Sequence, residues 1–172
     1  NNMQPSERVD VKAEGEELFV YSTRVNHRRI FGWEQVSTTS DVVIFAFEGK
    51  IKIEVTVKSG GEISNAVIRP LAWGIVPAVQ GSKITFELEY PSNYVLEYED
   101  SSTGRPAYEN ALHIFANEIE ENPITAETAD ENTVYIGPGV YMASAIPVRS
   151  NTTVYLAGGA YVYGQILAAN VS

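Results

Sequence analysis

The chain of 172 residues has no cysteine and only two histidines, two methionines and two tryptophans. Without cysteine there is no disulfide framework, no thiolate metal site and no cysteine nucleophile, and the absence says little about the redox compartment. Basic residues are scarce as well: 12 Lys and Arg stand against 22 Asp and Glu, a formal charge of -10. Such a surface repels nucleic acid and anionic lipid, so neither a nucleic acid nor a membrane is expected as a partner. No apolar run approaches the roughly twenty residues that span a bilayer. His27 and His113 lack the spacing of a metal site. No serine stands in G-x-S-x-G, and the glycines form neither a phosphate loop nor a dinucleotide fingerprint. No catalytic residue, cofactor or metal is therefore expected in the chain as it stands.

What is present reads as β structure. Apolar residues make up 44% of the chain and charged residues 20%, enough to bury a core and too apolar for disorder. From Val9 to Ile119 β-branched and aromatic residues alternate with polar ones, and Gly, Pro, Asn or Asp interrupt them every eight to twelve residues, the rhythm of an all-β sandwich. Strands are expected at Leu18 to Arg24, Val42 to Phe47, Ile51 to Lys58, Ala66 to Arg69, Lys83 to Tyr90, Tyr94 to Glu99 and Ala111 to Ala116. Alternation is strict from Lys50 to Lys58, so that strand should have one wet and one buried face. Glu48-Gly49-Lys50 and Ser59-Gly60-Gly61 have the glycines of tight turns, which predicts that the strands they join are antiparallel neighbours.

After Ile119 the composition turns polar and acidic, with Glu120-Glu121-Asn122-Pro123 and then Thr125 to Asn132. The expected organisation is a sandwich over 1–121, a linker over 122–132 and a third segment over 133–172.

That last segment is a repeat. Thr133-Val134-Tyr135-Ile136-Gly137-Pro138-Gly139-Val140-Tyr141-Met142 aligns with Thr153-Val154-Tyr155-Leu156-Ala157-Gly158-Gly159-Ala160-Tyr161-Val162 at an offset of twenty, and Ile146 then falls on Ile166. A period near twenty suits one coil of a β-solenoid, whose apolar side chains stack on the coil below. Val134 on Val154, Ile136 on Leu156 and Ile146 on Ile166 are the expected inward ladders, and Gly139 and Gly159 the expected corners. The competing reading is a pair of similar hairpins closing the sandwich. Two coils cannot cap themselves, which predicts a continuation past Ser172, an apolar open end and self-association through it.

These residues resemble the pectinase-like β-helix glycoside hydrolases, families 28 and 49, which include polygalacturonases and dextranases. The similar elements are Val67-Ile68-Arg69-Pro70-Leu71, Gly74-Ile75-Val76-Pro77, Ile84-Thr85-Phe86-Glu87-Leu88, Leu112-His113-Ile114-Phe115-Ala116-Asn117 and the two coils. The resemblance implies an antiparallel β-sandwich followed by the first coils of a right-handed parallel β-helix. It also implies hydrolysis of a polysaccharide by paired carboxylates. The family's catalytic aspartates lie on later coils, and this chain has no Asp-Asp pair, no Gly-His-Gly and no aspartate after Asp130. It should be the non-catalytic N-terminal portion of such an enzyme, secreted or periplasmic in a bacterium.

Glu16-Glu17, Glu97 with Glu99, and Glu120-Glu121 read as surface charge rather than as an acid and base. Trp33 and Trp73, each beside a glycine, are the candidate sugar contacts, with packing at the sandwich edge as the competing role. Two further classes stay open: a stand-alone carbohydrate-binding module, and a structural or oligomerisation domain.

Overall fold

The structure, a computed structural model, describes residues 4–25 and 38–168. The chain divides into two compact units, Gln4–Ile119 and a second beginning at Glu120.

In the first unit the early strands are β1 (Gln4–Pro5), β2 (Val9–Ala13), β3 (Glu16–Leu18), β4 (Val20–Val25), β5 (Thr38–Phe47) and β6 (Ile51–Val57). They are followed by β7 (Ile63–Arg69), β8 (Ala78–Gln80), β9 (Lys83–Leu88), β10 (Ser92–Asp100) and β11 (Leu112–Glu118). Among the described residues they form a six-stranded sheet, β1-β4-β5-β11-β10-β7, and a five-stranded sheet, β3-β2-β6-β9-β8. Every pair is antiparallel except β5 with β11.

The core follows from alternation. Ile53, Val55 and Val57 of β6, Ile84, Phe86 and Leu88 of β9, and Val9 and Val11 of β2 are buried from the five-stranded side. From the other sheet come Val43 and Phe47, Ile68, Tyr94, Leu96 and Tyr98, and Leu112, Ile114 and Ala116, all in the same cluster. Each such aliphatic or Phe side chain contributes about 1.5–3 kcal/mol on burial. Outward residues pair across strands, as in the Lys83–Glu54 ion pair at 2.9 Å. Among the described residues two charged side chains are buried, Asp41 and Asp100; Asp41, 2% exposed, receives the Arg8 guanidinium at 2.8 Å, and Arg8 also donates to the carbonyls of Thr39 and Glu109.

Both expected hairpins are corrected. Gly49 (φ 73°) and Gly60 (φ 78°) do supply left-handed turns, but β5 and β6 lie in different sheets, as do β6 and β7. These turns are arches that carry the chain across the core. A reversal with an apolar strand on either side suits an arch as well as a hairpin, so the glycine alone does not decide between them. Two-residue hairpins occur instead at Glu14-Gly15, between β2 and β3, and at Gly81-Ser82, between β8 and β9. Both Glu14 (φ 48°) and Gly15 (φ 88°) have positive φ, as a type I′ turn requires. The single strand expected from Leu18 to Arg24 is likewise divided: β3 and β4 flank an exposed Phe19 and belong to different sheets.

Gly61 is required for space rather than for φ. A Cβ there would run into the Asp100 carboxylate and into Ser102. Burial pushes the Asp100 carboxyl up, but hydrogen bonds from Ser59 and from the Ser102 hydroxyl and N–H together hold it below the usual range.

The second unit begins with short capped turns. Thr128 Oγ accepts from the Thr125 N–H at 2.8 Å, and Asp130 Oδ1 accepts from Thr133 Oγ at 2.6 Å. Six strands follow: β12 (Thr133–Ile136), β13 (Gly139–Met142), β14 (Ile146–Val148), β15 (Thr153–Leu156), β16 (Ala160–Tyr163) and β17 (Ile166–Ala168). They pair as three separate parallel ladders, β12-β15, β13-β16 and β14-β17, which is two coils of a parallel β-helix. Val134 lies on Val154, Ile136 on Leu156 and Ile146 on Ile166, as the offset of twenty requires.

The middle ladder departs from that offset. Gly139 pairs with Ala160, Val140 with Tyr161, Tyr141 with Val162 and Met142 with Tyr163, an offset of twenty-one. Gly139 is therefore not the counterpart of Gly159; its N–H donates to the Gly159 carbonyl at 3.0 Å. The Gly158-Gly159 corner takes one residue more than the corner it overlies. The next corner takes one fewer, with Gly164-Gln165 over Ala143-Ser144-Ala145. Gly164 makes this contraction feasible, because a Cβ there would run into the Ala143 carbonyl.

Candidate functional site

The sandwich glycines and prolines after β7 place Trp73. The backbone leaves β7 through Arg69-Pro70 and makes one 3-10 turn, Leu71–Trp73, which Gly74 (φ 65°) closes by donating its N–H to the Leu71 carbonyl at 3.0 Å. It then enters the β8–β9 hairpin, in which Ala78 faces Thr85. The segment between the 3-10 turn and β8 and the segment that follows β9 together line one groove. The indole of Trp73 stacks on the Tyr90 ring, with centroids 5.6 Å apart and planes at 26°.

Tyr94, the third ring, is nearly buried and lies tilted to Trp73 at 6.3 Å. Its hydroxyl donates to the Tyr90 carbonyl at 2.6 Å, and burial raises its pKa. It forms a fixed floor. Trp73 and Tyr90 remain 43% and 56% exposed.

Around these rings opens a groove of about 270 Å³ lined by Trp73, Gly74, Ile75, Val76, Glu87, Glu89, Tyr90 and Tyr94. Its polar side is the C-terminal end of β9 and Glu89 just after it. Glu87 is held by Lys50 at 2.8 Å, and the same ammonium lies 3.6 Å from Glu89. The hydrogen bond to Glu87, with the charge behind it, raises the Lys50 pKa. The groove therefore joins an aromatic surface to two hydrogen-bond-accepting carboxylates.

Trp33, the other candidate sugar contact, and His27 lie outside the described residues. The acidic pairs have separate partners: Glu17 reaches Lys12, Glu97 reaches Arg69, Glu99 reaches Ser64, and Glu120 accepts from the Tyr155 hydroxyl. His113 is half-buried on β11, opposite Val95 and Val42. Sequence reasoning found Trp73 but not Glu87, Glu89, Tyr90 or Tyr94. The signal that could have placed Glu87 and Glu89 near Trp73 was the Gln80-Gly81-Ser82-Lys83 turn, which folds β9 back on the segment that follows Trp73.

The chain is all-β, a sandwich of two sheets and two coils of a parallel β-helix. Among solved structures it is similar to Dex49A from Penicillium minioluteum, with a TM-score of 0.64 and 20% identity over 95% of this chain. The chain spans 43% of that protein's length. No family model matches the chain, and no curated protein sequence matches it.

Proposed function

We propose that this chain is the non-catalytic N-terminal portion of a polysaccharide-degrading glycoside hydrolase of the pectinase-like families 28 and 49. The observation that carries the reading is the likeness of nearly the whole chain, sandwich and coils alike, to Dex49A, a dextranase. In this reading the sequence supplies architecture and glycan contact, and the paired carboxylates of the reaction lie elsewhere. Trp73 is the sugar contact, since its half-open indole faces a groove with two carboxylates at the rim. Trp33 is a second one. The reading also takes the protein as secreted or periplasmic, and its coils as able to self-associate through Leu156 and Ile166, each about half exposed.

The experiment is paired binding and hydrolysis with this chain on dextran, polygalacturonate and other soluble glycans. Retention by at least one glycan without release of reducing ends is the expected outcome. Reducing ends released by this chain would contradict the non-catalytic role, and no retention by any glycan would contradict the sugar contact.

A further inference from the structure

We infer that Tyr135 and Tyr155 form a site of oxidative modification, at which a one-electron oxidant joins the two rings as dityrosine and staples the first coil to the second. The inference is independent of any glycan contact. Three side chains of the second unit carry it. Tyr135 and Tyr155 are register partners on β12 and β15, and their rings are stacked with centroids 5.9 Å apart and planes at 12°. The Tyr155 hydroxyl donates to the Glu120 carboxylate. Both tyrosines are half-buried, so their rings stay within reach of an oxidant in solution.

A phenol gives up an electron at neutral pH only when its proton leaves with it, because the oxidised ring turns the hydroxyl into a strong acid. Glu120 stands where that proton must go. A carboxylate takes a proton, whereas the carbonyls of Tyr90 and Pro138, to which Tyr94 and Tyr141 donate, do not. The hydrogen bond to Glu120 raises the Tyr155 pKa, so the species that meets the oxidant is the phenol with its proton acceptor already in place. Tyr161 and Tyr163 lie closer, at 4.8 Å, but their planes are tilted by 57° and Tyr163 is hydrogen-bonded to the Tyr161 phenol.

In the reaction each phenol loses one electron and its hydroxyl proton, that of Tyr155 to Glu120 and that of Tyr135 to solvent. The unpaired electron spreads onto the ring carbons ortho to oxygen. One such carbon from each ring forms the new C–C bond, and the proton each carbon carried moves through solvent to its own oxygen, which restores both phenols. The pair has then lost two electrons and two protons, and these reduce one hydrogen peroxide to two waters at a haem peroxidase. The staple falls where other means are lacking: no described residue of the coils is buried, and the chain has no cysteine for a disulfide. A bond between neighbouring coils restricts the unfolded chain as a disulfide would.

The whole chain, dilute and at neutral pH, is treated with a haem peroxidase and limiting hydrogen peroxide, then followed by dityrosine fluorescence and by mass spectrometry of its peptides. The expected product is a monomer lighter by two hydrogens, in which the peptides of Tyr135 and Tyr155 are linked. Tyr135→Phe and Tyr155→Phe should each abolish that link. Glu120→Gln keeps an acceptor oxygen but takes no proton, and should slow the linkage by about tenfold or more. Glu121→Gln, which removes the adjacent carboxylate, should leave the rate at that of the unaltered chain. The chain has ten tyrosines, so links confined to others of them, Tyr161 with Tyr163 included, overturn the site. Links formed only between molecules, or none at all, overturn it too. An unchanged rate in Glu120→Gln, or equal slowing by Glu120→Gln and Glu121→Gln, overturns the role of Glu120 as the proton acceptor.

Discussion

The sandwich and the coil pair are both built from β-branched and aromatic alternation, yet they hold their side chains very differently. The sandwich closes two sheets on each other, and every fully buried side chain among the described residues belongs to it. In the coils no described residue is buried, and second-coil members such as Leu156 and Ile166 stay about half exposed. A sheet facing another sheet completes its own core. A coil stacks on one neighbour and offers its other side to the next, so its stability comes from accumulated layers rather than from a single interior.

The sharpest way to test this contrast is truncation at matched positions. Leu96→Ala, in the sandwich core, should cost about 2–5 kcal/mol by urea denaturation. Ile136→Ala, in the half-buried ladder, should cost under about 1.5 kcal/mol, in proportion to the smaller area it covers. Comparable losses at the two sites would erase the difference between the regions.

Alkaline pH probes the sandwich interior next. Burial, with Asp41 and Asp100 adding to it against Arg8, pushes the Tyr98 hydroxyl up to about 12. The folded protein keeps that proton while the unfolded chain, with a tyrosine pKa near 10, gives it up. This contribution is intact below pH 10 and is lost as pH rises from about 10 to about 12, roughly 2–3 kcal/mol in all. Tyr98→Phe should flatten that decline. In the coils, Tyr155 is raised instead by its hydrogen bond to the Glu120 carboxylate, so Glu120→Gln should lower its ultraviolet titration midpoint.

A smaller effect separates two glycines that have room for no Cβ. Gly61→Ala should cost about 1–3 kcal/mol, because it pushes on Asp100 and Ser102 inside a packed structure. Gly164→Ala pushes on the Ala143 carbonyl in a coil with an open side. It should cost less in urea and show itself as a local loss of amide protection over β13 and β16.

The same contrast explains what could be read in the sequence. Inward and outward faces were legible, since Lys50 to Lys58 alternates without exception and β6 buries Ile53, Val55 and Val57. The coils were legible because identical neighbours stack on identical neighbours, so the repeat of Thr133-Val134-Tyr135 at Thr153-Val154-Tyr155 states its own register. Sheet membership was not, because Gly49 and Gly60 encode a reversal without encoding where it leads. The one-residue slip at Gly158-Gly159 was hidden too. Tyr141 aligns with Tyr161 by residue type, whereas backbone pairing places it on Val162. Of the groove, Trp73 stood out by its rarity. Its companions come from β9, β10 and the segment between them, which the fold brings beside Trp73 and no local motif announces.

The coil register is the central structural claim, and the absence of cysteine makes it directly measurable. In-register neighbours on parallel strands lie within disulfide reach, and residues displaced along the strand do so less well. Two double variants, Tyr141→Cys with Val162→Cys and Tyr141→Cys with Tyr161→Cys, should be oxidised side by side under mild conditions. The account predicts rapid, intramolecular cross-linking of the first pair and little of the second. Preferential cross-linking of 141 to 161 would restore the uniform offset of twenty and contradict the slip, and no cross-linking of either would contradict the parallel stacking of the coils.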